Sequence, residues 1–440
     1  MTAPAPLPSS GRRSGLGVIF LTIFIDLLGF TIIFPLFPAL LDYYLRVDGE
    51  HGTLGWLVHG IDRLAALVHA SGDYRAALFG GLLGSLYAFL QFICSPLWGG
   101  LSDRIGRRRV LTLTIAGTAL SYLLWVFSGS FLVFVLSRLL AGAFAGNLSV
   151  ATAAVADVTS RENRAKGMAI IGIAFGFGFL CGPGLGSAAA LLDLSAMHPA
   201  WRALGINPFS AAAALALLFS VINWVWVTAR FHETLDPEHR DAVVRVRHPF
   251  HELISSEAGP ARRTNWLYFI FTLAFAGMEL SLPFLAQERF GYPATGMWKI
   301  FGFLGLVLFL TQGGIVRRVV PRYGEKPVLL AGIALVCAGM AGLGLARSQG
   351  ALYAALAALG LGSGLVNPAI TALVSLYSPR QQQGRMLGLF RSLGSLARAL
   401  GPIGASCIFW LEGPSAPFYV VAVLTLVPWF MALPLPRPAK

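Results

Sequence analysis

The chain has 440 residues, 56% hydrophobic and only 12% charged. Soluble domains carry about 25% charged residues, so one or two soluble globules are excluded, and a mean hydropathy of +0.70 points the same way. The net charge of +13 does not indicate nucleic acid, because the basic residues sit in short loops between apolar runs, as they do when a polytopic membrane protein fixes its orientation.

The apolar runs approach the ~20 residues that cross a bilayer as a helix. Backbone in lipid must satisfy its own polar groups, which leaves helices or closed barrels. The runs are continuous rather than alternating, so helices are expected. Residues 1–15 read as a disordered, Pro/Ser-rich N-terminus ending in Arg12 and Arg13. Span 1, Leu16–Leu41, carries Asp26. Residues 42–75 form an outer segment in which Leu54–His69 has apolar residues at helical spacing, suggesting a short amphipathic helix at the interface. Span 2 is Ala76–Trp98 and span 3 is Val110–Phe127. Between them lies Gly99-Gly-Leu-Ser-Asp-Arg-Ile-Gly-Arg-Arg-Arg109. Span 4, Phe131–Val155, holds Arg138; span 5, Gly167–Leu192, is glycine-rich around Gly182-Pro183; span 6 is Pro208–Ala229.

Residues 230–265 read as a cytosolic linker between residues 16–229 and 266–436, each a six-helix bundle, with 437–440 as a tail. The second half begins with span 7, Trp266–Ala286, which contains Glu279, and span 8, Trp298–Val316. Val328–Ala346, Leu352–Leu376, Met386–Trp410 and Pro417–Leu435 complete twelve spans. With both termini cytosolic, most of the 33 Lys and Arg fall on the cytosolic side, seven on the other, and Arg138, Arg391 and Arg398 within spans. That bias satisfies the positive-inside rule. It does not choose between a plasma and an organelle membrane. The halves echo each other: the basic loop after span 2 has a degraded counterpart at Arg317–Lys326, and Gly182-Pro183 corresponds to Gly401-Pro402. An all-α polytopic membrane protein with two pseudo-symmetric six-helix bundles around a central cavity is the repeat architecture of secondary transporters.

Charged groups inside spans are costly and face a cavity or a partner. Asp26 and Glu279, in corresponding spans, are therefore candidate proton-exchanging groups, with Arg138 as their intramembrane counterpart. A fixed ion pair is the alternative for each. Arg391 is a candidate contact for an anionic cargo, because guanidinium offers several donors and stays charged. Arg398, near Gly401-Pro402, reads as an internal latch. Gln91, Asn147, Gln312 and Asn367 either line the cavity or bond neighbouring helices. Tyr87, Phe175, Phe177 and Phe301 read as packing rather than ligand contacts. Trp98, Tyr268 and Trp410, near span ends, fit an interfacial aromatic belt. Proline in Gly182-Pro183 and Gly401-Pro402 removes a donor and kinks the helix, and the glycines allow close packing. The four cysteines lie in apolar runs without ligand spacing, and no phosphate loop or hydrolytic triad is present. Neither an enzyme nor a bound cofactor is expected.

In Gly99-x-Leu101-x-Asp103-Arg104-x-Gly106-Arg107-Arg108 the chain resembles the signature loop of the major facilitator superfamily. Arg138-Leu-Leu-Ala-Gly142 resembles that family's helix-4 motif, and Gly178-Phe-Leu-Cys-Gly182-Pro183 its antiporter helix-5 motif. Within the family, Gln91-Phe-Ile-Cys-Ser-Pro96 and Arg391–Pro402 are similar to tetracycline-transporter-like proteins and their eukaryotic members. The resemblance implies alternating access, proton coupling through Arg138, a conformational role for the basic loop, and export of amphipathic organic anions or drugs by a monomer. Proton would be the coupling ion. A uniporter or lipid carrier of the same fold, and a non-transporting scaffold, are the alternatives.

Overall fold

The structure, a computed structural model, describes residues 9–49, 52–68, 75–159, 164–235, 259–293, 296–378 and 383–437. These fold into helices joined by short turns. In the first half, α1 is Ser9–Thr31, α2 Phe37–Val47, α3 Gly52–Val68, α4 Arg75–Ile105 and α5 Arg107–Val126. They are followed by α6, Phe131–Phe144, α7, Asn147–Val158, α8, Arg164–Ala189, α9, Leu194–Met197, and α10, Ser210–Arg230. The second half holds α11, Pro260–Phe290, α12, Trp298–Leu310, α13, Val316–Tyr323, α14, Glu325–Leu345, α15, Gln349–Tyr377, α16, Gln383–Glu412, and α17, Ala416–Ala432.

Among the described residues nine helical stretches are long and apolar enough to cross a bilayer. To these α8 (26 residues), α16 (30) and α17 (17) add three more, twelve in all. Element ends differ from the sequence reading where helical propensity outlasts apolarity. α1 starts at Ser9, ahead of Leu16, and α11 at Pro260, ahead of Trp266. A helix already bonds its own backbone, so nothing forces it to stop at the membrane surface. Proline at the first turn suits Pro260, whose missing N–H would be unpaired anyway. Most of the expected linker, 236–258, lies outside the described residues.

Span 4 is not one helix. It breaks at Ala145-Gly146 between α6 and α7. Gly146 is needed there, because a Cβ would sit 2.6 Å from the Trp98 side chain of α4. The helix restarts at Asn147, which is thereby set at the first position of α7. In α3, Leu54 and Val58 are buried while Trp56 is 81% exposed; the side chains of 61–68, which carry most of the expected apolar face, lie outside the described residues.

Each half has its own core. The second-half core joins α11, α12, α14, α15 and α17 around Phe271, Phe301, Ile333, Leu356 and Phe418. The first half divides into one cluster around Tyr44, Trp125 and Phe134 and another around Val110, Val150 and Val227, toward the basic loop. Lipid tails are as apolar as leucine, so burial alone does not drive helices together; close van der Waals packing does. The α14–α15 contact illustrates it: a Cβ on Gly339 would lie 2.7 Å from the Leu359 backbone nitrogen, and one on Gly362 2.6 Å from the Gly332 carbonyl oxygen. Apolar faces of α10 and α17, including Val225, Val423 and Phe430, stay outward where lipid is the solvent. Tyr268 and Trp410 depart from the expected belt: both are buried, because their faces of α11 and α16 turn into the bundle.

The two halves meet along two seams, α4 against α16 and α8 against α12. On the second seam Phe177 packs on Phe309 with ring centroids 4.4 Å apart. The duplication is visible in the backbone. Gly106 before α5 and Gly324 before α14 have φ of +103° and +83°, a conformation that favours glycine. At these points Arg108 and Lys326 play like parts: Arg108 Nη2 donates to the Thr228 carbonyl (2.6 Å) near the end of α10. Lys326 Nζ donates to the Leu433 and Leu435 carbonyls (2.7 and 2.6 Å) after α17. Unpaired carbonyls at a helix C-terminus attract cations.

Candidate functional site

Between the halves lies a cavity of about 480 Å³, within the range that takes a drug-sized ligand. Its wall is mostly aromatic and aliphatic, including Phe30, Phe34, Phe271 and Phe284. Into this surface project Asp26, Gln91 and Arg138 from the first half, and Glu279, Gln312, Asn367, Arg391 and Arg398 from the second. Of the intramembrane polar residues singled out in the sequence, only Asn147 lies elsewhere.

Asp26 is held by Asn147, whose Nδ2 donates to Asp26 Oδ1 at 2.7 Å. The break between α6 and α7 makes this contact possible. Arg138 is not ion-paired to Asp26 among the described residues. Its guanidinium lies among aromatic rings, 4.8 Å from the Trp125 centroid, 5.6 Å from Phe134 and 6.0 Å from Tyr122. Such rings stabilise a desolvated cation through their quadrupoles. Its Nη2 has no hydrogen-bond partner.

The second half presents a different arrangement. Glu279 of α11 and Arg398 of α16 act on each other electrostatically within the cavity. Arg391 is seven residues before Arg398, so both project from similar faces two turns apart. Arg391 lies over the Phe390 ring, 5.7 Å from its centroid, and its Nε has no partner. Tyr268 stacks on Phe390 at 3.7 Å and stands beside Arg391. Arg398 Nη2 donates to Ser395 Oγ (3.4 Å), and Ser395 Oγ donates to Gln91 Oε1 across the seam (3.3 Å). Gln91 thus bonds between the halves as well as lining the cavity. Gln312 sits in a π-helical turn, Thr311–Ile315, a local rewinding frequent at functional positions. Gly172 of α8 makes room for it, since a Cβ there would lie 2.6 Å from Gln312 Oε1.

Glu325 also reaches the cavity wall. Three carboxylates and three guanidinium groups therefore surround one space. Each proton gained by a carboxylate raises the net charge by one, which can link proton occupancy to cargo charge.

The basic loop builds a second cluster at one end of the first half. Arg107 Nη1 pairs with Asp103 Oδ1 at 2.5 Å, and its Nε with Asp157 Oδ2 at 3.1 Å. Arg107 Nη1 also donates to Ser102 Oγ (2.6 Å). Glu233 accepts from the backbone nitrogens of Arg107 (2.8 Å) and Arg108 (3.3 Å), placing a negative charge at the α5 N-terminus. Burial pushes the Asp157 carboxyl above the usual carboxylate range, and the Arg107 charge opposes that rise. Arg104 is exposed, and Gly99 lies near Ser149 of α7, where a Cβ would be 3.4 Å from its Oγ. These bonds tie α4, α5, α7 and the end of α10 together, all within the first half. No sequence signal marked Glu233, because a capping acid 126 residues away along the chain has no spacing rule.

The glycine–proline elements pack equivalent helices. Gly178, Gly182 and Gly186 form an i, i+4, i+8 stripe on α8 against α1, with Thr31 Oγ1 donating to the Gly178 carbonyl at 3.1 Å. Pro183 lies within that helix. In the second half Gly401 of α16 faces α11, where a Cβ would lie 2.5 Å from the Leu273 carbonyl oxygen. Pro402 follows it within the helix.

Tyr87 lines the cavity, contrary to its packing role in the sequence reading, whereas Phe301 is core. The side chain of Phe175 lies outside the described residues. The aromatic housing of Arg138 and the π turn were not anticipated, since both depend on helix rotation. Among the described residues no cluster of His, Cys, Asp or Glu is placed to hold a metal ion.

The Major Facilitator Superfamily model matches residues 19–323 and 317–440. The chain is 35% identical to major facilitator superfamily domain-containing protein 10 of Mus musculus, over 99% of this chain and 95% of that protein. It is 28% identical to the class B tetracycline resistance protein of Escherichia coli, over 82% of this chain and 88% of that one. The crystal structure of the human organic anion transporter MFSD10 (TETRAN) superposes with a TM-score of 0.82 at 33% identity, covering 97% of this chain and all of that one.

Proposed function

The chain belongs to the Major Facilitator Superfamily, and from that premise we propose that it exports amphipathic organic anions or drugs in exchange for protons, by alternating access of the central cavity. It is a transport protein and not an enzyme. The observation that carries the reading is the cavity itself, in which an apolar wall surrounds carboxylates and guanidinium groups supplied by both halves. An apolar body with an anionic group fits that lining. The similarity to an organic anion transporter and to tetracycline resistance proteins supports the same class of cargo.

In this reading Asp26 and Glu279 carry protons, with Arg138 beside the first and Arg398 beside the second. Arg391 receives the anionic group of the cargo: its Nε is buried without a partner, and guanidinium recognises carboxylate or phosphate by paired donors. Gln91, Gln312 and Asn367 orient polar atoms of the cargo. The Asp103–Arg107–Asp157 cluster holds the cytosolic ends of the first half as one body, so that Gly99, Gly106, Gly182-Pro183 and Gly401-Pro402 permit rocking between rigid bundles. The protein works as a monomer with both termini in the cytosol.

The test is a pair of substitutions at Arg391. Arg391→Lys keeps the charge and Arg391→Ala removes it. Uptake of an organic-anion dye into proteoliposomes should fall in both and be clearly greater for lysine. Equal activities in the two variants would remove Arg391 as the anion contact.

A further inference from the structure

Behind Asp26 lies a second, much smaller void of about 20 Å³. Asp26, Phe30, Tyr87 and Arg138 belong to the walls of both spaces. The small void is bounded by Arg138, Asn147, Thr118, Tyr87 and Tyr122 as well, with Phe30, Ala141 and Ala145 as its apolar wall, so polar and apolar groups share its surface. Two of its wall residues carry a buried atom without a partner, Arg138 Nη2 and Asn147 Oδ1. One is a donor and the other an acceptor. A water molecule needs about 10–15 Å³ by this measure and two to four polar partners.

We propose that this compartment is a binding site for a single structural water, which accepts from Arg138 Nη2, donates to Asn147 Oδ1 and directs its second hydrogen to the Asp26 carboxylate. Arg138 then senses the charge of Asp26 through that water instead of by direct contact. Asn147 becomes a positioning residue. Its Nδ2 fixes Asp26 at 2.7 Å and its Oδ1 fixes the water, so it does not touch cargo. This assignment rests on the proposal that Asp26 carries a proton. The titratable and charged groups around the compartment come from six elements. They are Asp26 of α1, Tyr87 of α4, Tyr122 of α5 and Arg138 of α6, with Tyr44 of α2 beside Arg138 and Arg398 of α16 beyond Tyr87.

The water can be tested without transport. Radiolytic hydroxyl-radical labelling of the purified full-length protein in ¹⁸O water modifies side chains next to bound water even when they are buried. Tyr122, 5% exposed, should be labelled and should exchange its water slowly. Asn147→Leu, which fills the compartment, should lose that label while labelling of cavity residues such as Tyr268 persists. Absence of label on Tyr122 in the unsubstituted protein overturns the water site. The relay is read from transport: Asn147→Ala should move the pH midpoint upward, because the ionised carboxylate loses a donor, with the KM for cargo unchanged. A changed KM with an unmoved pH profile overturns the positioning role. Should the unsubstituted protein show no pH-dependent transport, the proton reading of Asp26 fails, and labelling still decides the water site by itself.

Discussion

The substitution Gly401→Ala isolates the packing that the glycine–proline element provides. The added methyl carbon would sit 2.5 Å from the Leu273 carbonyl oxygen and 3.1 Å from Ala276 Cβ, both on α11. A backbone oxygen cannot swing aside, so α11 and α16 must part. Overpacking of this kind costs about 1–3 kcal/mol. Gly404 lies three residues further along the same helix, and a Cβ there would meet nothing within 4 Å. Both substitutions gain helix propensity, about 1 kcal/mol for alanine over glycine in a helix interior, so comparing the two cancels that gain. The measured quantity is the thermal-inactivation rate of detergent-purified protein, because membrane transporters of this size unfold irreversibly and their stability is a rate. To the extent that the packing is formed in the transition state for unfolding, its loss is hidden; fully lost there, 1–3 kcal/mol corresponds to about five- to 150-fold faster inactivation. Gly404→Ala should match or outlast the unsubstituted protein, and Gly401→Ala should inactivate faster than both. Equal lifetimes for the two variants would refute the close-packing account.

Glu279→Gln and Asp26→Asn should each weaken the pH dependence of transport in proteoliposomes, and unchanged coupling in both would remove them as proton carriers. Asp157 makes a prediction about stability. Burial raises its carboxyl in the folded state, so between the ordinary and the raised value the folded protein holds a proton that the unfolded chain has released. Stability therefore falls as pH rises through that window, and Asp157→Asn should flatten this part of a curve of thermal-inactivation rate against pH; an unaltered slope contradicts the assignment. Arg289→Ala removes donors to the Gly344 and Ala346 carbonyls, both at 3.0 Å, and to Ser415. Hydrogen bonds from a charged group are worth about 1.5–3 kcal/mol, less where water screens them, so thermal stability should drop with the cargo KM unaffected. Wild-type stability would show that this clamp is dispensable.

The helices and their number were legible because apolar length and basic loops report directly on the bilayer. So were Asp26, Glu279, Arg391 and Arg398, since an ionisable group inside a span has few places to go, and the cavity gathers all four. What escaped the sequence depends on rotation and on contacts between distant segments. Asn147 and Arg138 were read as parts of one continuous span. The break at Ala145-Gly146 instead turns Asn147 toward Asp26, while Arg138 goes among Tyr122, Trp125 and Phe134. Tyr268 looked like a belt residue because it lies near a span end, yet its face of the helix meets Phe390. Gln312 was visible as a polar residue in an apolar run, but the π turn that carries it has no sequence rule. Glu233 meets the basic loop only because α10 returns the chain to it.

The central claim is exchange of an organic anion for protons. Its most direct test is uptake of an amphipathic anionic dye into proteoliposomes with an acidic lumen. Proton efflux should drive the dye inward above its external concentration, and a protonophore should abolish the gain. A weak acid crossing lipid unaided distributes toward the alkaline side, so leakage cannot imitate this result. Uptake that stops at equal concentrations, whatever the imposed gradient, would contradict the account.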